Sequence, residues 1–212
     1  MTHTVVKKEK TSRDANEFLV DMHVHTNTSP CSYMALEDTL AEIEGAVDAI
    51  VITDHDAINS YPDSFQTELE EKYEVKVFTQ SLEISTAQGH ILAYGMTEKL
   101  PTLLDVHEVI EIIHSKNGLA VAAHPFTPMG IGDTIYNANI DAIEINCSRP
   151  IYANQLAREA AKIMDVPLIS GSDSHTSFQV TVCATKYQKR MNSLKEIIEE
   201  IKKGNCSPVY LR

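Results

Sequence analysis

The sequence predicts an α/β fold built from βαβ units, and three observations point that way. Short, fully apolar runs alternate with segments of helical periodicity along the whole chain. Apolar runs of that kind belong to strands covered on both faces, as in mainly parallel sheets. About seven such units fit into 212 residues, which suits a closed or nearly closed barrel better than an open doubly wound sheet, although the usual eight-unit barrel takes ~250 residues. At ~100–200 residues per domain, this is one domain.

The elements follow in order. FLVDMHV (18–24) reads as a strand, and MALEDTLAEIEGA (34–46) as a helix with Leu36, Leu40 and Ile43 on one face. DAIVIT (48–53) is a second buried strand, 63–73 a weaker helix, and VKVFTQ and HILAYG two more strands. Residues 102–117 make the best amphipathic helix, with Leu103, Val106, Ile110 and Ile113 inside and Gly118 as its stop. LAVAAH (119–124) and AIEIN (142–146) are strands, 151–165 a helix, VPLISG (166–171) a strand, and 193–203 a last helix ending at Gly204. The first seventeen residues form a polar extension before the single domain at 18–212.

Composition narrows the function classes. Hydrophobic residues at 43% and charged residues at 23% are ordinary globular usage. With 18 Lys+Arg against 30 Asp+Glu the formal net charge is −12, which opposes the Lys/Arg track that a long nucleic acid needs. The N-terminal stretch has no apolar signal region, and no run approaches the ~18–20 apolar residues of a membrane span. A cytoplasmic protein without membrane contact is expected. Cys31, Cys147, Cys183 and Cys206 are far apart with no CxxC, so reduced thiols are expected rather than a disulfide scaffold or a cysteine zinc knot.

The chemistry collects at the strand ends. Six of the nine histidines lie there: His23 and His25 in DMHVH, His55 in ITDHD, His90 in GH, His124 in AHP and His175 in SDSH. His23 and His25 are two apart on a strand and face the same way, as two imidazoles on one metal must. Asp21, Asp54, Asp56, Glu83, Glu144 and Asp173 fall in the same places. Any one of these could be a cap or a satisfied core residue. Packing gives no reason to put titratable groups at nearly every strand end, so the set reads as a site. Imidazoles mixed with carboxylates suit Zn, Mn or Fe.

The ordered series DMHVHTNTS, ITDHD, LEIS, GH, AHP and GSDSH over residues 18–176 resembles the PHP (polymerase and histidinol phosphatase) superfamily of metal-dependent phosphoesterases. The resemblance implies a distorted, TIM-like (β/α)7 barrel with two or three divalent ions at the C-terminal ends of the strands. It implies that His23, His25, Glu83 and Asp173 hold one ion, and that Glu83, His90 and His124 hold a second with Glu83 bridging. His55 and His175 belong to a third. Family members often have a His or Asp five or six residues after the position of His25; here that stretch is TNTSPCSYM, and only Cys31 in it could ligate.

The expected activity is hydrolysis of a small phosphorylated metabolite, a phosphate monoester or nucleotide. A metal-bound water, with its pKa lowered towards ~7, would attack phosphorus between ions ~3.5–4 Å apart. Asp21 is expected to orient His23 or His25, Arg149 to contact phosphate, and Asp54, Asp56 or His175 to protonate the leaving group. Trimming of short oligonucleotides is one alternative, and a metal-binding regulatory module with little activity is another. HEVIE at 107–111 has Glu where a zincin helix needs its second His, so His107 and His114 read as helix-surface residues.

Overall fold

Connection lengths decide the architecture. A computed structural model describes residues 17–43 and 45–211. They run β1 (Phe18–Val24), α1 (Leu36–Ile43), β2 (Ala49–Ile52), α2 (Asp63–Tyr73), β3 (Lys76–Phe78), β4 (Ser81–Ser85), β5 (His90–Tyr94) and α3 (Val106–Ser115). After these come β6 (Leu119–Ala122), a 3-10 turn (Gly132–Tyr136), β7 (Ala142–Asn146), α4 (Ile151–Met164), β8 (Leu168–Gly171), β9 (Cys183–Tyr187), α5 (Leu194–Lys202) and β10 (Ser207–Tyr210). The polar extension lies outside the described residues except for Glu17, which meets Lys186 at 3.1 Å.

The strands form two five-stranded mixed sheets, ordered β10-β9-β1-β2-β3 and β4-β5-β6-β7-β8. This corrects the barrel expectation, and the mainly parallel open sheet with it. Four ladders are parallel and four antiparallel. Parallel neighbours need a crossover of about a dozen residues or more, yet β3 and β4 are separated by two residues and β4 and β5 by four. SLEIS and HILAY therefore pair as a hairpin, Ser81 opposite Tyr94 and Ser85 opposite His90. CATKY and SPVY were not foreseen as strands; CATKY adds antiparallel to β1 and SPVY antiparallel to CATKY, with Pro208 on the outermost strand, where a missing donor is tolerated. The sheets meet through isolated parallel bridges, from Val24 at the end of β1 to Ser174 after β8, and from His55 after β2 to Glu83 in β4.

Apolar faces hold the helices in place. Asp105 caps α3 by accepting from the His107 N–H at 2.9 Å, and Val106, Val109, Ile110 and Ile113 are buried against β4–β7. Each such side chain contributes about 1.5–3 kcal/mol of burial. Leu103 was expected on that face but lies outside the helix, at φ 60° and 71% exposed, because the capped helix begins only after it. His114 lies in the last turn and pairs with Asp141 at 2.9 Å. On α5, Ser193 caps the Glu196 N–H at 3.3 Å, and Leu194, Ile197, Ile198 and Ile201 face the core.

Two details bear on the site. A Cβ at Gly171 would lie 2.3 Å from the Cβ of His23, so only glycine lets the end of β8 close against β1. Cys147 and Cys183 are joined by a disulfide, Cα atoms 6.0 Å apart, which corrects the expectation of reduced thiols for this pair. Their strands flank β8 and bring together residues 36 apart in sequence. No helix among the described residues is long and apolar enough to cross a membrane.

Candidate metal centre

Parallel strands present their C-terminal ends on one side of the molecule, and antiparallel β5 presents its start there. The centre is assembled accordingly. His23 lies on β1 and His25 just beyond it, His55 follows β2, Glu83 sits in β4, His90 opens β5, His124 follows β6, and Asp173 and His175 follow β8. Backbone hydrogen bonds tie these ends together: Asp173 N–H to the His23 carbonyl at 2.8 Å, His25 N–H to that of Ser174 at 3.1 Å, and Asp56 N–H to that of Glu83 at 2.8 Å.

Glu83 is the hub. Its Oε2 lies 3.2 Å from His23 Nε2, 3.1 Å from His25 Nε2 and 3.3 Å from His55 Nδ1. Its Oε1 lies 2.8 Å from His90 Nδ1 and 3.1 Å from His124 Nε2. Asp173 Oδ1 is 3.5 Å from His23 Nε2 and 3.3 Å from His25 Nε2, while its Oδ2 contacts Arg149 Nη2. Two carboxylates thus meet five imidazoles and an arginine in one buried space.

Three groups could hold a metal ion: His23, His25, Glu83 and Asp173; His55, Glu83 and His90; and His25, Cys31, His55 and His175. The first is the set implied by the motif series. In the second, His124 shares the Glu83 oxygen that faces His90 without entering the group. The third brings in Cys31.

The donor chemistry fits divalent ions. His23 Nε2 and His25 Nε2 face each other at 3.0 Å, a spacing that needs a proton or a cation between them. Among the described residues His90 Nδ1 and Asp173 Oδ1 are buried without a well-aligned hydrogen bond, although Glu83 Oε1 and His25 Nε2 lie 2.8 and 3.3 Å away, and buried polar atoms are rarely left so without an ion or water. Meanwhile the far nitrogens are anchored. His23 Nδ1 bonds Glu144 Oε1 at 2.8 Å, and His175 Nδ1 bonds the Asp173 carbonyl at 2.9 Å. His25 Nδ1 bonds Ser29 Oγ and His124 Nδ1 bonds Thr127 Oγ1, both at 3.1 Å. A carbonyl or carboxylate can only accept, and both hydroxyls have acceptors of their own, Asp54 Oδ1 at 2.5 Å and the His124 carbonyl at 3.0 Å. The Nδ1 atoms therefore donate, leaving each Nε2 as the ligand atom.

Several residues stand where the sequence did not put them. Asp21 does not touch an imidazole; its Oδ1 accepts the Ser172 N–H at 2.8 Å and the His23 N–H at 3.3 Å. Glu144 does the orienting instead, and also accepts the His124 N–H at 2.9 Å. A carboxylate in an apolar strand such as AIEIN was a weak signal taken alone. Asp54 is fully buried, with its oxygens engaged by Thr26, Ser29 and Asn59, so it braces Ser29 behind His25. Asp56 receives the N–H and hydroxyl of Ser85 at 2.9 and 2.8 Å. Arg149 is half-buried at the Asp173 carboxylate.

Electrostatics divides the cluster. Burial opposes charge on His23, yet Glu144, Glu83 and Asp173 hold it well above the usual imidazole range. His55 goes the other way: burial, with His25 and His90 beside it, pushes it down to about 4. Burial also lowers His175, with His25 adding to the effect. Burial resists ionisation of Glu83, but the surrounding histidines hold its carboxyl well below the usual range. Burial raises Asp21 to about 6, against the lowering pull of its hydrogen bonds from Ser172 and His23 and of the His23 charge. Asp56, His124 and Asp173 have φ of 50°, 30° and 52°. Left-handed backbone at residues other than glycine costs of order 1–3 kcal/mol and collects at functional sites.

Known proteins bear on this arrangement. A family model described as PHP-associated matches residues 152–206. The uncharacterized protein MJ1587 of Methanocaldococcus jannaschii is 30% identical over 138 residues, 59% of this chain and 79% of that protein. The fold is similar to that of PsfC from Pseudomonas syringae, with TM-score 0.70, 18% identity and 92% of each chain covered. It is also similar to the lesion-specific endonuclease PfuEndoQ from Pyrococcus furiosus, with TM-score 0.62, 18% identity, and 91% of this chain and 57% of that one covered. A two-domain Bacteroides vulgatus protein containing a predicted PHP-like metal-dependent phosphoesterase gives TM-score 0.67 at 18% identity, over 92% of this chain and 65% of that one. The motif series DMHVH, ITDHD, GH, AHP and GSDSH is thus gathered around one carboxylate hub, in a chain that carries a PHP-associated segment and shares its fold with a protein containing a predicted PHP-like metal-dependent phosphoesterase.

Proposed function

We propose that this chain hydrolyses the phosphate ester of a small metabolite, with His23, His25, Glu83 and Asp173 holding one divalent ion and Glu83, His90 and His124 a second. The observation that carries the reading is Glu83, whose two oxygens face two different sets of histidines. One carboxylate can then serve two neighbouring ions. Bound ions of this kind supply Lewis acidity and an acidified water, so no nucleophilic side chain is required.

The chain's own groups do the rest. Glu144, Ser29 and Thr127 hold the ligand imidazoles in the tautomer that offers Nε2. Arg149, whose Nε is buried without a hydrogen-bond partner among the described residues, turns its remaining donors to the phosphate oxygens. His175, with Nδ1 donating to the Asp173 carbonyl, offers Nε2 at the rim as a ligand for a metal ion. Beside it lies a cavity of about 400 Å³ lined by Tyr33, Met34, Asp38, Glu42, His175 and Thr176, large enough for the leaving group of a small monoester. The net charge of −12 supports a small substrate over a long polyanion.

One observation favours trimming of nucleic-acid ends instead. Tyr33 and Phe178 are 93% and 89% exposed, in the segments that carry Cys31 and His175, and exposed aromatics can stack on bases. A panel of phosphate mono- and diesters, with a mononucleotide and an oligonucleotide, assayed after Mn, Zn or Fe reconstitution separates the readings. Monoester turnover with at least two ions per chain is expected. Fewer than two ions in the fully loaded protein overturns the two-ion centre, and salt-sensitive turnover confined to the oligonucleotide replaces the small-molecule reading.

A further inference from the structure

We propose that Cys31 is a metal ligand in this chain, its thiolate joining His55 and His175 to complete a third ion site. The inference rests on the two-ion reading above and adds to it.

The ligand atoms of His25, Cys31, His55 and His175 all lie within 4.8 Å of one another. One imidazole nitrogen binds one ion. His25 Nε2 faces Glu83 and Asp173 at 3.1 and 3.3 Å and so belongs to the first ion. That leaves Cys31, His55 and His175, three protein ligands with one position open, the ligand count of a catalytic rather than a structural zinc site.

The placement of Cys31 is built. Asp54 gathers the N–H of Thr26 at 2.7 Å and the N–H of Ser29 at 3.2 Å, and the Ser32 N–H closes a turn onto the Ser29 carbonyl at 3.1 Å. Ser32 Oγ then reaches the carbonyls of both His25 and His175 at 3.4 Å. The residue before Ser32 is therefore held over the very histidines whose rings gather there, His25 lying 4.6 Å from His55 and 4.3 Å from His175 between ring centroids. The metal group they form contains no carboxylate. Two imidazole nitrogens and a thiol are a softer donor set than the oxygen-rich inner group, and they favour zinc or another borderline-soft ion over Mn or Mg. On binding, the S–H proton leaves to solvent and a metal–sulfur bond of about 2.3 Å forms.

The test uses the full chain carrying Cys206→Ala, so that the one free thiol left among the described residues is Cys31. The protein is stripped with a chelator and reloaded with Co(II) or Zn(II), and three quantities are read: ions per chain, thiolate-to-cobalt charge-transfer absorption, and alkylation of the thiol by iodoacetamide followed by mass. Three ions, a charge-transfer band and at least tenfold slower alkylation in the loaded protein are expected. Cys31→Ser is expected to lose the band and one ion, and Cys31→Asp to regain the ion without the band. Two ions per chain with no band, or a third ion retained by Cys31→Ser, overturns this proposal and leaves the two-ion centre standing. Fewer than two ions in the unsubstituted protein overturns both.

Discussion

The inner and outer halves of the centre use the same side chain to opposite ends. His23 and His55 are both ringed by charged or polar neighbours, yet His23 is held well above the usual imidazole range and His55 is pushed down to about 4. Burial penalises charge on both. What differs is company: three carboxylates face His23, whereas imidazoles crowd His55 and a single carboxylate, Glu83, answers them. The inner group is thus a pocket in which imidazole and carboxylate charges balance, and the outer one a set of histidines that burial and neighbouring imidazoles keep neutral.

The hardest blow to that contrast is Glu83→Gln, which removes the carboxylate shared by both halves. Activity is expected to fall on the order of 10³-fold or more, the scale of losing a preorganised charge contact, together with loss of bound ions measured per chain. An unchanged metal content would break the hub reading. Glu144→Gln acts on the inner half alone and should weaken the inner ion's affinity about 10–100-fold, as loss of an outer partner to a ligand histidine does; competition with a fluorescent chelator measures it. Equal weakening at the outer site would erase the distinction.

Acidity probes the same contrast without substitution. In the metal-free protein the pairing of His23 with its carboxylates contributes stability that is complete below its ordinary 6.5 and is lost as pH rises through its raised value. Because an ion must displace that proton, inner-site affinity should climb with pH across this window, with proton release seen by calorimetry in buffers of different ionisation enthalpy. His55, already deprotonated above about 4, should add nothing there, so a flat profile above pH 6 contradicts the assignment. The smallest effect is expected at His107, on the surface of α3 away from both halves. His107→Ala should leave metal content unchanged and stability within about 0.5 kcal/mol, checked by thermal unfolding.

Much of the site was legible because its signals are local. DMHVH declares two imidazoles on one face of a strand, and ITDHD and GSDSH place polar groups immediately after apolar runs. Helix positions were legible too, though Leu103 shows that periodicity without a cap overruns the true start. The sheet arrangement was not legible. Seven apolar runs carry no record of strand direction, and the short β3–β4 and β4–β5 connections, visible in the sequence, were given too little weight against the count of units. CATKY and SPVY were missed because Thr, Lys, Ser and Pro dilute the strand signal; pairing of CATKY with β1 and of SPVY with CATKY supplies the order that their composition lacks.

By itself the sequence determined where the titratable groups lie: at strand ends rich in His, Asp and Glu, in an acidic chain. Tertiary structure decided who meets whom. Glu144 reaches His23 across 121 residues and Asp21 reaches Ser172 across 151, and no spacing in the chain encodes either contact. The swap of Asp21 for Glu144 as the orienting carboxylate and the gathering of Cys31, His55 and His175 arise where the two sheets meet, and the brace of Asp54 on Ser29 where the loops after β1 and β2 meet. Local pattern fixes the face on which a side chain emerges; only packing fixes the group it finds there.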